Sequence, residues 1–144
     1  MRKRIVTSMV IMMLLLGNTF SVFAATVSFD KAYVEGESYS YVTRKDKTSS
    51  NAYVEITVNK MFTTNNAEAS YKKSKAQLRG WNGKEYVCCV DSADYGKTVT
   101  KGTAARFHLL KDYRKSGKTV KYYAKGNNPS VDCKISGVMK IDQE

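Results

Sequence analysis

Between Ala52 and Asn59 apolar and polar positions alternate without a break: Val54, Ile56 and Val58 fall on one side, Tyr53, Glu55, Thr57 and Asn59 on the other. A period of two predicts a strand with one buried and one wet face. The same period recurs along the chain. It predicts strands over Thr26–Phe29, over Glu37–Val42 with Tyr39 and Tyr41 on one face, and over Thr98–Thr100. Further strands are expected over Ala104–Leu110 (Ala105, Phe107 and Leu109 inward), Thr119–Ala124 (Val120, Tyr122 and Ala124 inward) and Val131–Ile141 (Val131, Cys133 and Ile135 inward). Gly137 is expected to mark a bulge in the last of these. Polar, turn-rich stretches separate them at Lys45–Asn51, Met61–Asn66, Ser92–Gly96, Lys115–Gly117 and Gly126–Ser130. Residues Ala67–Lys75 have weak apolar spacing and read as an approach to the next strand. Many short alternating strands, no convincing helix and no internal repeat predict an all-β antiparallel sandwich or jelly-roll-like barrel in a single domain.

The centre of the pattern is Lys75–Asp91, where Asn82-Gly83 is a strong hairpin signal because both residues tolerate the positive φ of a type I′ turn. A two-residue turn there would pair Trp81 with Lys84, Arg79 with Tyr86, and Leu78 with Val87. Ala76, Leu78, Val87 and Cys89 would share the core face; Lys75, Gln77, Arg79, Trp81, Lys84, Tyr86 and Cys88 would share the other.

The first 24 residues follow a different rule. Arg2, Lys3 and Arg4 precede an apolar run from Ile5 to Leu16, and Val22-Phe23-Ala24 supplies the small residues of a cleavage site. This is the tripartite form of a secretory signal peptide, cut after Ala24. The run is shorter than the ~20 residues that span a bilayer, and nothing later is apolar enough to do so. The expectation is a secreted, extracellular domain over 25–144 with no transmembrane segment.

Export changes the reading of charge and of cysteine. The chain carries a formal charge of +11, three of whose positives lie in the leader, so the mature domain keeps +8. Outside a cell such a charge suits an anionic cell-wall polymer or a lipid headgroup; a protein partner is the other expectation, and specific nucleic-acid binding is not expected. Three cysteines in an oxidising compartment allow one internal bridge. Adjacent strand residues face opposite ways, so only one of Cys88 and Cys89 can meet Cys133. The hairpin faces favour Cys89–Cys133, although Tyr86, Cys88 and Val90 form an alternative inward set. Closing the 44-residue loop would stabilise the fold by about 4 kcal/mol.

Candidate chemistry is sparse. His108 is the single histidine, and no nucleophile motif surrounds any Ser or Cys. The acids are scattered, no C-x-x-C spacing is present, and no phosphate, dinucleotide or calcium loop occurs. Neither an enzyme, a metal nor a cofactor is expected. The better candidate is a surface: Arg79, Trp81, Lys84 and Tyr86 on the hairpin, and Lys121, Tyr123 and Lys125 on a later strand. Aromatic faces suit sugar rings or headgroups, and flanking cations attract phosphate or carboxylate.

From Arg44 to Ser136 the arrangement resembles small secreted proteins of Gram-positive bacteria, including the lactococcin-972-like bacteriocin group. The likeness rests on the leader, the Thr/Ser/Asn-rich strands, Gly102-Thr103 before Arg106-Phe107-His108-Leu109, and Asn127-Asn128 leading to Ile135-Ser136-Gly137. It implies a bacteriocin-like toxin or export-linked peptide factor as the alternative function. The Trp/His-rich pattern of the bacteriocin itself is missing here, and no functional residues carry over.

Overall fold

A computed structural model describes residues 24–143. The leader expected over 1–24 lies, apart from Ala24, outside the described residues. Nine strands follow: β1 (Ala25–Val34), β2 (Ser40–Asp46), β3 (Tyr53–Phe62), β4 (Lys73–Trp81), β5 (Tyr86–Cys88), β6 (Thr98–Thr100), β7 (Ala104–His108), β8 (Thr119–Gly126) and β9 (Cys133–Gln143). All pairings are antiparallel. One sheet has the order β1-β9-β3-β7; the other runs β2-β8-β4-β5, with β6 also on β4. Their inner faces pack as a β-sandwich, as the alternation predicted. Among the described residues the helical pieces are two 3₁₀ turns, Ser92–Asp94 and Lys111–Tyr113.

The inward sets close on each other. Val54, Ile56 and Val58 of β3, Phe107 of β7, and Ile135, Met139 and Ile141 of β9 face Ala76 and Leu78 of β4 and Val120, Tyr122 and Ala124 of β8; all are fully buried. The Phe29 ring lies 5.6 Å from that of Tyr122 and joins the two layers. Burial of a dozen such side chains, at about 1.5–3 kcal/mol each, is the main force holding the sheets together.

Two strands run longer than alternation suggested, because bulges reverse the parity. In β3 the register with β9 slips between Val58 and Lys60, so Met61 rather than Lys60 points inward, and the strand continues to Phe62. In β1 the slip lies between Phe29 and Ala32, with Lys31 at φ +47°, and Val34 is again buried. Both slips lie opposite the Ser136-Gly137 region. Gly137 itself is in register; a Cβ there would stand 2.1 Å from the Thr57 carbonyl oxygen. The irregularity expected in β9 is therefore carried by its neighbours, which crowd against the glycine.

The β4–β5 connection also differs from the two-residue turn. Trp81 pairs with Tyr86, Gly80 with Val87 and Arg79 with Cys88, leaving Asn82–Glu85 as a four-residue loop. The Asn82 amide N–H donates to the Glu85 carbonyl at 3.0 Å, while Asn82 Oδ1 accepts from the Lys84 and Glu85 amides at 2.8 and 2.9 Å. An Asn side chain that binds the following backbone outcompetes the tighter turn. The register moves by two, so every side chain keeps the face expected of it.

The bridge Cys89–Cys133 does not form: all three cysteines are free thiols. Cys89 is inward as expected, its amide bonded to the Leu78 carbonyl at 3.1 Å, and its Cβ faces Gly80. Cys133 pairs with Val34 and lines a cavity beside Lys73 and Gly126. These neighbours belong to opposite ends of β4, roughly 20 Å apart at ~3.3 Å per residue. A disulfide needs Cα atoms within about 7 Å. Burial pushes the Cys89 thiol up to about 12 and raises that of Cys133, which keeps both protonated.

One end of the sandwich is tied by a buried ion pair. Lys47 Nζ donates to Asp142 Oδ1 at 2.5 Å and to the Asn51 carbonyl at 2.7 Å, with neither charged side chain exposed.

Candidate functional site

Positions of equal parity on β4 and β8 emerge on the outer face of the second sheet. The two strands are direct neighbours, and Arg79 lies opposite Lys121, Gln77 opposite Tyr123, and Lys75 opposite Lys125. The two stretches proposed from sequence as separate surfaces are thus one. On the far side of β8, β2 adds Tyr41 beside Tyr123 and Arg44 beside Lys121. On the far side of β4, β5 adds Tyr86 beside Trp81. Lys84 stands apart from these rows, exposed in the Asn82–Glu85 loop.

Three of the cations rest on rings. The Arg79 guanidinium lies 4.5 Å from the Tyr123 centroid, Lys121 Nζ 3.5 Å from that of Tyr86, and Lys125 Nζ 5.1 Å from that of Tyr39. The rings contact one another as well: Tyr41 with Tyr123 at 5.8 Å and Trp81 with Tyr86 at 5.2 Å, both edge-on. Arg79 Nε also donates to Gln77 Oε1 at 2.9 Å, and this covers a glutamine that is itself buried. The pairings leave the charge un-neutralised. Among the described residues no carboxylate oxygen lies within 4.0 Å of Arg44, Lys75, Arg79, Lys121 or Lys125. Like charges directly opposite on neighbouring strands repel. Here they occur three times, at Arg79–Lys121, Lys75–Lys125 and Arg44–Lys121.

The outer face of the first sheet is built differently. Glu55 lies between Arg106 of β7 and Lys140 of β9 and pairs with Lys140 Nζ at 3.3 Å. There an acid stands between two cations; on the second sheet Asp46, at the end of β2 and bonded to the Thr119 hydroxyl, is an acid at the margin of a face whose other charges are positive.

Trp81 and Tyr41 remain 42% and 50% exposed, enough to offer their ring faces to a ligand. Burial, with the Tyr95 hydroxyl nearby, raises the Tyr39 phenol, and Arg79 opposes it. Tyr39 and Tyr41 were legible as one face of an alternating segment, yet nothing in that segment tied them to β8. Lys75 was on the expected outer face but not singled out, and Arg44 lay between the expected strand Glu37–Val42 and the turn-rich Lys45–Asn51, assigned to neither.

His108 occupies a different place. Its Nδ1 bonds to Asp91, its backbone N–H donates to Asp94 Oδ2 at 2.7 Å, and Arg114 approaches Nε2 at 3.2 Å. A guanidinium can only donate, so Nε2 accepts and the ring proton sits on Nδ1 toward Asp91. The imidazole joins the loop after β5, the end of β7 and the loop before β8, and both its nitrogens are engaged. Among the described residues no three His, Cys, Asp or Glu side chains gather as metal ligands, and no helix is long and apolar enough to cross a membrane.

No protein-family model, curated protein or solved structure matches the chain, and none bears on the likeness to the lactococcin-972-like group.

Proposed function

We propose that the outer face of the β2-β8-β4-β5 sheet binds an anionic polymer of the cell envelope, and that the protein works as a secreted, non-enzymatic binding module. The reading rests above all on the three like-charged cross-strand pairs with no carboxylate beside them. An arrangement that costs stability when unliganded is compensated when a polyanion lies across it. Lys121, Tyr123 and Lys125 project from alternate residues of β8, so cations recur at about 13 Å with a phenol between them. A chain of sugars bearing phosphate or carboxylate fits that order: rings stack on Trp81, Tyr86 and Tyr41 while the acids meet Arg79, Lys121 and Lys125. Seating the cations on aromatic rings holds them in place before binding and lowers the entropy lost on association.

The test is sedimentation with purified bacterial cell wall, with and without acid extraction of its anionic glycopolymer. Retention that salt elutes, that extraction removes, and that falls at least tenfold in Arg79→Gln/Lys121→Gln supports the reading. Lys140→Gln, on the opposite sheet, is the matched control and should bind as the unaltered protein does. Equal loss in both variants would reduce the interaction to net charge and overturn the site. Retention only on anionic lipid vesicles, or only on a protein component of the wall, would overturn the choice of ligand.

A further inference from the structure

A cavity of about 240 Å³ opens at the end of the sandwich where β8 turns into β9. Its wall is formed by Tyr71, Gly126, Val131 and Cys133, and the exposed Lys72, Lys73, Asn127 and Asn128 complete it. The space is built into the fold. The loop after β8 is pressed onto two glycines: a Cβ at Gly36 would stand 2.2 Å from the Pro129 carbonyl oxygen, and one at Gly126 would stand 2.8 Å from that of Val131. The loop is closed on itself by the Val131 amide on the Asn128 carbonyl at 3.2 Å and the Ser130 amide on Asn128 Oδ1 at 3.1 Å. The Tyr71 hydroxyl is occupied by the Phe62 carbonyl at 3.0 Å, which leaves its ring as the wall. Cys133 is 2% exposed, and its thiol is kept neutral by burial.

Apart from the exposed Asn127 and Asn128 the lining is therefore apolar, and the charge beside it has one sign. No carboxylate oxygen among the described residues lies within 4.0 Å of Lys72 or Lys73. The volume exceeds the ~150 Å³ that holds a benzene and falls below the ~300 Å³ where drug-sized sites begin. An extended hydrocarbon a few carbons long fits between these limits, and an acid at its end would meet the two ammonium groups. We propose that this cavity takes the alkyl tail of a single-chain anionic amphiphile, with Lys72 and Lys73 holding its head. Lys73 has the parity of Lys75 and Arg79 on β4, so the site adjoins the polymer-binding face, but its cavity lies at the end of the sandwich and neither proposal requires the other.

Amide-resolved NMR titration of the whole domain with octanoate, octyl phosphate and the neutral octyl glucoside tests it. Saturable shifts at Gly126, Val131 and Cys133 are expected for both anions. A preference for octanoate points to a free fatty acid, and one for octyl phosphate to a phosphate-headed lipid. Lys72→Gln/Lys73→Gln should weaken the anions about tenfold and leave octyl glucoside unchanged. Val131→Trp, at the half-buried rim, should abolish binding of all three while the remaining spectrum stays folded. If that variant does not fold, Val131→Phe with the same readout replaces it. Absence of saturable shifts, shifts confined to Trp81, Tyr86 and their neighbours, or undiminished binding by the folded rim variant would each overturn the proposal. None of these outcomes alters retention on cell wall, which is read through Arg79 and Lys121 at the far end of β4.

Discussion

Removing Lys47 tests how the sandwich is closed. Its ammonium and the Asp142 carboxylate are both fully buried, and the contacts around them form a complete set. Lys47 serves Asp142 Oδ1 and the Asn51 carbonyl; the Thr48 amide and hydroxyl reach Asp142 Oδ2 at 2.7 and 2.8 Å; and Asn51 Nδ2 donates to the Asp142 carbonyl at 3.0 Å. Lys47→Met keeps the stem and deletes the charge, leaving a buried carboxylate with neutral donors alone, Thr48 and the Ser49 hydroxyl. Breaking a buried pair from one side costs about 3–5 kcal/mol. That is a fifth or more of the roughly 5–15 kcal/mol that holds a domain folded. With a urea slope near 2 kcal/mol/M, the midpoint followed by circular dichroism should fall by ~2 M. Asp142 sits at φ +66°, a conformation asparagine tolerates better than leucine. Lys47→Met/Asp142→Asn is therefore the right second variant, and it should lose clearly less than Lys47→Met alone. The pH dependence follows from the same contacts. Burial pushes the Asp142 carboxyl up, but the bonds from Lys47 and Thr48 outweigh it and hold it below the usual carboxylate range. A depressed carboxyl contributes stability that is present above the unfolded value of about 3.9 and lost as pH falls through the folded one. Between pH 5 and 2 the unaltered protein should therefore lose more stability than the double variant. A Lys47→Met cost under about 1 kcal/mol, or a double variant as costly as the sum of its parts, would refute the reasoning.

Three further outcomes follow from the packing. Gly80→Ala places a Cβ 2.3 Å from Cδ1 of the Tyr113 ring, which plugs the sandwich end, and should cost about 1–3 kcal/mol in urea denaturation. Maleimide labelling of the native protein should modify one thiol, the half-buried Cys88, and all three in urea; reductant should leave the melting temperature unchanged, because Cys89 and Cys133 do not pair. The Tyr122 hydroxyl is fully buried without a hydrogen bond of ordinary geometry, so Tyr122→Phe should leave stability within about 0.5 kcal/mol or raise it.

What could be read from the chain was parity, and what could not was neighbourhood. Alternation assigned Val54, Ile56 and Val58, Phe107 and Leu109, and Val120, Tyr122 and Ala124 to the interior, and burial agrees at each. Parity also survived the wrong turn at Asn82-Gly83, because a slip of two residues returns every side chain to its own face. It failed where a bulge adds one residue, as at Asp30-Lys31 and Asn59, and there β1 and β3 outran their expected ends. The disulfide failed for a different reason. Facing inward is necessary for Cys89 to meet Cys133, but position along the strand decides the matter, and that depends on which strand lies beside which. The same dependence hid the unity of the basic-aromatic face. Trp81 and Lys121 lie 40 residues apart in sequence, and only the β4–β8 pairing brings the two basic-aromatic stretches together. A face assembled from strands so far apart is held in register by main-chain bonds, and its rings and cations then pack across the strands. What that packing does not use is the charge: Arg44, Lys75, Arg79, Lys121 and Lys125 have no carboxylate beside them among the described residues, and on this surplus the proposed binding rests.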